Sequence, residues 1–294
     1  MMTIQHAYDE FYNSLQQIYD AGEARNIADW VIEDVTGIRK IDLVIRKDLI
    51  LSPKQESVLE GFLSELLRHR PVQYVLNEAW FHGLKLYVDE NVLIPRPETE
   101  ELVDWVVKDV SYEMKKKKKA LSVLDVGTGC GCIAIAIKKN LPDADVWAVD
   151  VSEKALEVAG KNAMLQDVAV HFKKINFLQL SERHALPSFD VIVSNPPYVP
   201  EKDKTTMHKN VVDYEPHLAL FVNDHEPLVF YHAIANFAMA HLKYNGIIFL
   251  EIYENLSEQV ADLFRKNGFE QIIVRKDMQG KDRMVKIQVE SYGL

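Results

Sequence analysis

The chain has 294 residues, which at about 150 residues per domain predicts two domains. Hydrophobic residues make up 48% and charged residues 27%, a globular balance that excludes a disordered, collagenous or coiled-coil protein. The two cysteines, Cys130 and Cys132, lie too close together to crosslink distant parts, so a disulfide framework is excluded. Residues 1–17 lack the pattern of a signal peptide, and polar residues interrupt the apolar stretch 228–242. We therefore expect a cytoplasmic protein with no membrane partner.

The charge balance is acidic, with 34 basic and 44 acidic residues and a formal net charge of -10. Proteins that hold duplex nucleic acid usually carry a basic patch, because much of their affinity comes from neutralising phosphates. The acidic balance therefore argues against a stable nucleic-acid partner.

Residues 1–74 are predicted to form a small helical bundle domain. Gly37 lies where the C-terminal cap of one helix is expected. The start of a later helix is predicted by Ser52 as N-cap, Pro53 in the first turn and Gln55 completing a capping box. Apolar residues recur at helical spacing in the segments 4–18, 24–35 and 58–67.

The rest of the chain reads as a linker followed by an α/β domain. Residues 75–95 are predicted to be a β-hairpin linker, because aromatic and β-branched residues surround Gly83. Residues 96–294 are predicted to form this domain, since from Ser122 onward strand and helix patterns alternate, which predicts a mainly parallel sheet with helices on both faces. The carboxyl ends of parallel strands then lie at one edge, where ligands bind. The predicted strands are Val123–Val126, Val146–Asp150, Val168–Phe172, Val191–Ser194, Ile247–Glu251, Ile272–Lys276 and Val285–Val289.

A glycine-rich turn follows the first of these strands and precedes an apolar helix. It consists of Gly127, Thr128, Gly129, Cys130 and Gly131. Such glycines are often only a turn, but they also let a backbone approach a ligand closely at a helix N-terminus. The third glycine of a dinucleotide fingerprint and the Gly-Lys-Ser/Thr of a phosphate loop are both missing. A cysteine pair could ligate metal, but no second pair completes four ligands, so buried thiols are expected and no metal.

Asp150 ends the next predicted strand, 21 residues after Gly129. A carboxylate at that place can accept both hydroxyls of a ribose. A glycine turn with a ribose-binding acid, and no phosphate-binding residue, predicts an adenosine ligand without phosphates. S-adenosylmethionine is such a ligand.

A second motif, Asn195-Pro196-Pro197-Tyr198, ends the buried strand 189–194. Two prolines could merely stop the strand or form a polyproline ligand for another domain. The motif falls, however, at the carboxyl end of a strand, on the edge that holds the glycine turn. That position favours a functional site.

Together the two motifs resemble the methyltransferases that modify planar amino or amide nitrogens. More narrowly, the whole chain resembles the HemK/PrmC family of protein-(glutamine-N(5)) methyltransferases, which act on peptide chain release factors. The sequence departs from the family pattern in two places: the stretch Ile252-Tyr253-Glu254 lacks the glycine that is common after Glu251, and Phe177 stands where some members have tryptophan. The matching stretches are Arg70 to Tyr74, Ile94 to Glu100, Asp125 to Gly131, Asp150, Asn195 to Tyr198, Tyr214 to Leu220 and Gly280 to Arg283.

The resemblance implies a Rossmann-like class I S-adenosylmethionine-dependent methyltransferase domain, with the N-terminal bundle recognising a release factor. Its predicted substrate is the glutamine of a Gly-Gly-Gln tripeptide, held by Asn195, Pro196, Pro197 and Tyr198. A primary amide nitrogen is a poor nucleophile, because its lone pair is delocalised into the carbonyl. The side-chain oxygen of Asn195 and the carbonyl of Pro196 are predicted to accept its two N–H hydrogens and localise that lone pair, while Tyr198 packs on the amide. The predicted cofactor residues are Gly127, Thr128, Gly129, Cys130, Gly131, Asp150, Phe177 and Asn195.

Two other interpretations remain. An adenine amino-methyltransferase acting on DNA or RNA would present a similar planar amino group to the Asn195 loop, but it would have to flip its base and hold a phosphate backbone. A non-catalytic adapter that kept the fold would have no need of an intact Asp150 or Asn195-to-Tyr198 motif. The roles of Arg96, Glu215 and Glu251 are left open.

Overall fold

The computed structural model describes residues 2–117 and 119–288, so Val289 at the end of the last predicted strand lies outside the described residues. The α-helices in these ranges are α1 Ile4–Leu15, α2 Ala21–Thr36, α3 Lys40–Arg46, α4 Pro53–Leu66, α5 Val72–Leu76, α6 Pro97–Lys117, α7 Cys132–Asn140, α8 Glu153–Leu165, α9 Leu180–Arg183, α10 Lys209–Tyr214, α11 Val229–His241 and α12 Ser257–Lys266. The strands are β1 Ala79–Phe81, β2 Leu84–Leu86, β3 Ser122–Val126, β4 Asp145–Asp150, β5 His171–Lys174, β6 Phe189–Ser194, β7 Val199–Pro200, β8 Phe221–Val222, β9 Leu242–Glu251, β10 Gln271–Lys276 and β11 Asp282–Gln288.

One compact unit comprises the residues up to Glu78 together with His208–Tyr214. Its helices α1, α2 and α4 bury a shared apolar core, as their spacing predicts. The Ser52 side chain accepts the Gln55 amide and completes the predicted capping box. The sequence did not predict α3, since its N-cap residue Arg39 makes no side-chain capping hydrogen bond. The predicted domain boundaries at residues 74 and 95 stay a prediction.

The second unit contains Ala79–Met207 and the residues from Glu215 onward. Seven strands of its described residues form one sheet in the order β10-β11-β9-β6-β3-β4-β5. The strands β3, β4, β5, β6 and β9 run parallel, whereas β11 is antiparallel to both β9 and β10. Helices cover this sheet, and α11 and α12 contribute Tyr231, Phe237 and Phe264 to its core. The predicted α/β architecture is confirmed.

The third predicted strand, Val168–Phe172, is wrong at its start. The chain leaves α8 through Asp167, whose φ of 52° turns the backbone before the strand begins. Pairing with β4 starts only where His171 lies opposite Trp147, and it extends to Lys174. The hairpin predicted around Gly83 is present, because β1 and β2 pair across a turn with positive φ at His82 and Gly83.

The parallel sheet gathers five chain segments at one edge. The glycine turn follows β3, the segment before Phe177 follows β5, and the Asn195 motif follows β6. Asp150 and Glu251 are the last residues of β4 and β9. Every residue of β6 is buried, so its end at Ser194 is held by the core. Within the described ranges, no helix is long and apolar enough to cross a membrane.

Candidate functional site

The glycine turn at the end of β3 is anchored to the neighbouring strand. The amides of Gly127 and Thr128 both donate to the carbonyl oxygen of Val149, at 2.9 Å and 3.0 Å. Gly127 and Gly129 have φ values of 74° and 55°, and a Cβ built on either one meets no heavy atom within 4 Å. These two backbones therefore border open space, which a ligand can approach closely.

Gly131 is needed for packing as well as for its conformation. Its φ is 84°, and a Cβ there would lie 2.9 Å from Ile135 Cδ1 and 3.1 Å from Ala159 Cβ. Its neighbour Cys130 is buried, and the Cys130 carbonyl accepts a 2.9 Å hydrogen bond from the buried Asn162. The turn is thus closely packed against α7 and α8.

Asp125 and Thr128 support the turn from inside. The Thr128 hydroxyl donates a 2.6 Å hydrogen bond to Asp125 Oδ2, and both residues are buried. Burial raises the pKa of Asp125 to about 7, while the Thr128 hydrogen bond opposes that rise. The Thr128 hydroxyl therefore points toward the buried Asp125 carboxyl group, into the protein interior.

Asp150 lies directly against the glycine turn. Its Oδ2 accepts the amide of Gly129 at 2.9 Å, and its Oδ1 accepts the amide of Ser152 at 2.9 Å. Burial raises the pKa of Asp150, and these backbone hydrogen bonds act in the opposite direction. Each carboxylate oxygen keeps a further acceptor position, so both could accept hydroxyl groups of a bound sugar.

The Asn195 motif begins beside the glycine turn, because β6 pairs with β3 and the Ser194 hydroxyl donates to the Val126 carbonyl at 2.7 Å. Asn195 donates through Nδ2 to Thr99 Oγ1 at 3.0 Å. Within residues 2–117 and 119–288, no group donates to Asn195 Oδ1 or to the carbonyl oxygen of Pro196. The loop therefore has two hydrogen-bond acceptors, on the adjacent residues Asn195 and Pro196, that no described group uses.

Glu251 at the end of β9 links the remaining polar groups. The residue is 1% exposed, and its carboxylate accepts the Thr99 hydroxyl at Oε2 over 2.6 Å and the Tyr198 hydroxyl at Oε1 over 2.9 Å. Burial raises the pKa of Glu251, whereas these two hydrogen bonds and the charge of Arg283 oppose the rise. Sequence reasoning missed Thr99 entirely and left Glu251 without a role. The sequence did contain one signal for Glu251, because it is a carboxylate at the end of a predicted strand, on the edge of the sheet where ligands bind.

Tyr198 is held on both its hydroxyl and its ring. The ring stacks on Tyr253 with centroids 6.0 Å apart and planes inclined by 24°. Burial raises the pKa of Tyr198 well above its usual value, and the nearby Glu251 charge adds to this. The hydroxyl therefore stays protonated near neutral pH and serves as a donor to Glu251.

Glu215 fixes the segment that leads into α6. Its Oε1 accepts Arg96 Nη2 at 2.6 Å and its Oε2 accepts the amide of Ile94 at 3.1 Å. The side chain of Glu215 is 1% exposed and that of Arg96 is 32% exposed. The pair therefore anchors the stretch before Thr99 and leaves part of Arg96 open to solvent.

Phe177 differs from the other candidates because it packs in the core. The residue is 5% exposed, and its ring contacts that of Phe237 edge to face with the ring centroids 5.2 Å apart. A contact between Phe177 and an adenine stays a prediction.

Cys130 and Cys132 are free and buried, and the hydrogen bond to Cys130 together with burial raises the pKa of Cys132. The described part of the chain contains no group of three or more His, Cys, Asp or Glu side chains that could hold a metal ion.

A Rossmann-like sheet with a glycine turn, a strand-end acid and an Asn-Pro-Pro-Tyr loop at one edge defines the class I methyltransferase fold. Solved structures agree on the fold. The catalytic domain of hMettl16, crystallised with MAT2A 3'UTR hairpin 1, superimposes with a TM-score of 0.57 at 15% identity over 96% of this chain and 91% of that chain. A human methyltransferase 10 domain containing protein gives 0.51 at 16% identity over 81% and 98%.

Sequence comparison narrows the class. Residues 110–218 match the methyltransferase small domain family and residues 6–76 match the PrmC N-terminal domain family. The release factor glutamine methyltransferase of Flavobacterium psychrophilum is 44% identical over 97% of this chain and 99% of that protein. The enzyme of the same name from Bacteroides thetaiotaomicron is 41% identical over 92% and 95%. The chain belongs to the release factor glutamine methyltransferase family.

Proposed function

We propose that this protein transfers the methyl group of S-adenosylmethionine to the side-chain amide nitrogen of the glutamine in the Gly-Gly-Gln tripeptide of peptide chain release factors. The observation that carries the proposal is the pair of acceptors at the end of β6. Asn195 Oδ1 and the Pro196 carbonyl oxygen belong to adjacent residues, and neither accepts a hydrogen bond from a described group. A primary amide has two N–H donors that match such a pair.

The residues at the edge of the sheet fit an adenosine-type cofactor. Open space borders the backbones of Gly127 and Gly129, and Asp150 keeps acceptor positions beside them. The glycine turn and Asp150 would hold the cofactor, with Phe177 and Asn195 as further predicted contacts. When bound, S-adenosylmethionine supplies a methyl group on a positively charged sulfur, which is open to attack by a nitrogen lone pair.

The protein's part in the reaction is to orient the substrate amide. Asn195 and Pro196 accept the two N–H hydrogens, which draws the nitrogen lone pair out of conjugation with the carbonyl. Pro197 stiffens the loop, and Tyr198 packs beside the amide while its hydroxyl is held by Glu251. Orientation and exclusion of water of this kind can lower a barrier by about 7–11 kcal/mol.

The geometry does not call for a strong base. Tyr198 stays protonated, and Glu251 is occupied by two hydrogen-bond donors. The proton of the amide nitrogen becomes acidic once the nitrogen is methylated and can pass to solvent. The chain's contribution is therefore geometric and electrostatic more than acid–base.

A tripeptide loop offers little contact area, so recognition of a release factor needs a second contact. The helical unit that contains residues 6–76 is the proposed site of that contact, since this range matches the PrmC N-terminal domain family. Glycines beside the substrate glutamine would let the loop approach the Asn195 motif without side-chain collisions.

The proposal is tested by incubating the full chain with labelled S-adenosylmethionine and purified release factor. The matched control is a release factor in which the tripeptide glutamine is replaced by alanine, and a third reaction contains DNA or RNA in place of protein. We expect label in the unaltered release factor alone. Label in the nucleic acid would instead favour an adenine amino-methyltransferase, and equal label in both release factors would contradict the glutamine assignment.

A further inference from the structure

Four side chains at the edge of the sheet form one chain of hydrogen bonds. Asn195 donates to Thr99, Thr99 donates to Glu251, and Tyr198 donates to the other oxygen of Glu251. These groups come from three separate elements, α6, the loop after β6, and β9. We infer that Thr99 and Glu251 are positioning residues that fix the orientation of the Asn195 side-chain amide, so that its oxygen faces the substrate. The inference rests on the proposed function.

The direction of the hydrogen bonds carries this inference. A threonine hydroxyl has one proton, and with Glu251 ionised, so that its carboxylate only accepts, Thr99 gives that proton to Glu251 Oε2 over 2.6 Å. Toward Asn195, Thr99 Oγ1 can therefore only accept, so Asn195 must present its NH₂ group at 3.0 Å. The opposite end of the amide, Oδ1, is then left to accept from a substrate.

An inverted Asn195 amide would disable the acceptor pair. Its NH₂ group would face the N–H donors of the substrate amide, and its oxygen would face a Thr99 hydroxyl oxygen whose proton is already used. Both contacts would leave a polar group unpaired next to Thr99 and Glu251, which are buried. The two orientations have nearly the same shape, so packing alone does not distinguish them.

The supporting groups are themselves held in place. Thr99 is 2% exposed and lies in the first turn of α6, where its amide donates to the Arg96 carbonyl. Glu251 is 1% exposed, and its backbone carbonyl accepts the hydroxyl of Tyr231. Tyr198 occupies the second oxygen of Glu251, so the carboxylate is directed toward Thr99 by contacts on both sides.

The first test compares Thr99→Val, which removes the hydroxyl at nearly constant shape, with Thr99→Ser, which keeps it. We expect Thr99→Val to lower kcat for release-factor methylation by about tenfold or more, while KM and the cofactor Kd change by less than about threefold. Thr99→Ser should keep kcat within about threefold of the unaltered protein. Equal kcat values for Thr99→Val and the unaltered protein would overturn the inference, as would an equal fall in Thr99→Ser.

A double-mutant cycle separates positioning from general damage. If Thr99 acts through Asn195, adding Thr99→Val to an Asn195→Ala background should leave kcat unchanged, because no side-chain amide remains to orient. A loss as large as that seen in the unaltered background would overturn the inference.

A measurement without turnover distinguishes failure of this inference from failure of the proposed function. In ¹⁵N-asparagine-labelled protein, the Asn195 side-chain signal is assigned as the one lost in Asn195→Ala. Its NH₂ protons should exchange with solvent faster in Thr99→Val than in Thr99→Ser or the unaltered protein. Equal exchange rates in all three would overturn the inference. Absence of release-factor methylation by the unaltered protein, with the exchange difference present, would overturn the proposed function alone.

Discussion

The amide of Gly129 donates a 2.9 Å hydrogen bond to Asp150 Oδ2, which joins the glycine turn after β3 to the last residue of β4. The contact arises because β3 and β4 are parallel neighbours whose carboxyl ends meet at one edge of the sheet. It sets a carboxylate beside a backbone that borders open space, and the proposed contact with the ribose of the cofactor rests on this arrangement.

Replacement of Asp150 by Ala should weaken cofactor binding. A hydrogen bond to a charged group contributes roughly 1.5–3 kcal/mol, so the Kd for S-adenosylmethionine should rise by a corresponding factor. Calorimetric titration measures this. Glu153→Ala is the control, because Glu153 follows closely in the chain but is exposed and pairs with Lys174. An unchanged Kd in Asp150→Ala would contradict the assignment.

Asn195→Ala should lower turnover far more than it lowers cofactor affinity. Removing one preorganised group that acts on the transition state typically costs about 10²–10³ in kcat. Single-turnover kinetics with release factor, alongside cofactor titration, give the two quantities. Asn140→Ala is the matched control, because Asn140 is exposed at the far end of α7. Near-normal turnover in Asn195→Ala would contradict the orientation mechanism.

Much of this arrangement follows from the sequence. Alternating strand and helix patterns predict the parallel sheet, and a parallel sheet brings the end of β4 beside the turn after β3, so the meeting of Gly129 and Asp150 is expected. The position of Asn195 at a buried strand end is expected for the same reason.

Other parts could not be predicted. The hydrogen bond between Thr99 and Glu251 joins residues 152 positions apart, and it depends on which face α6 turns toward the sheet. Periodicity locates an apolar stripe on a helix but does not say which polar residue in its first turn meets a strand end. The burial of Phe177 against Phe237 could not be predicted either, because it depends on how distant parts of the chain pack together.

Gly131→Ala should destabilise the protein more than Gly280→Ala. The φ values are 84° and 83°, so the backbone strain of an added side chain is matched. Only at residue 131 would the new Cβ meet close neighbours, at 2.9 Å from Ile135 and 3.1 Å from Ala159. Overpacking of this kind costs about 1–3 kcal/mol, which urea denaturation can measure as a difference between the variants. Equal free energies of unfolding would contradict the packing account of the turn.

Asp125 should make stability depend on pH. Its pKa is raised to about 7 in the folded protein from 3.8, so the folded state keeps the proton that the unfolded chain loses. The stability from this group is fully present below pH 3.8 and is lost as pH rises toward about 7, at roughly 1.4 kcal/mol per pH unit. Asp125→Asn, which cannot ionise, should lack this slope. Parallel curves of unfolding free energy against pH for the two proteins would contradict the prediction.

The most direct test of the central claim is the site of the added methyl group. Release factor is incubated with the unaltered protein and S-adenosylmethionine, digested, and analysed by tandem mass spectrometry. We predict one methyl group on the side-chain nitrogen of the glutamine in the Gly-Gly-Gln tripeptide, and a much smaller methylated fraction after the same reaction time when the protein carries Asn195→Ala. A methyl group on a different residue of the release factor, or an unmodified release factor after reaction with the unaltered protein, would contradict the account.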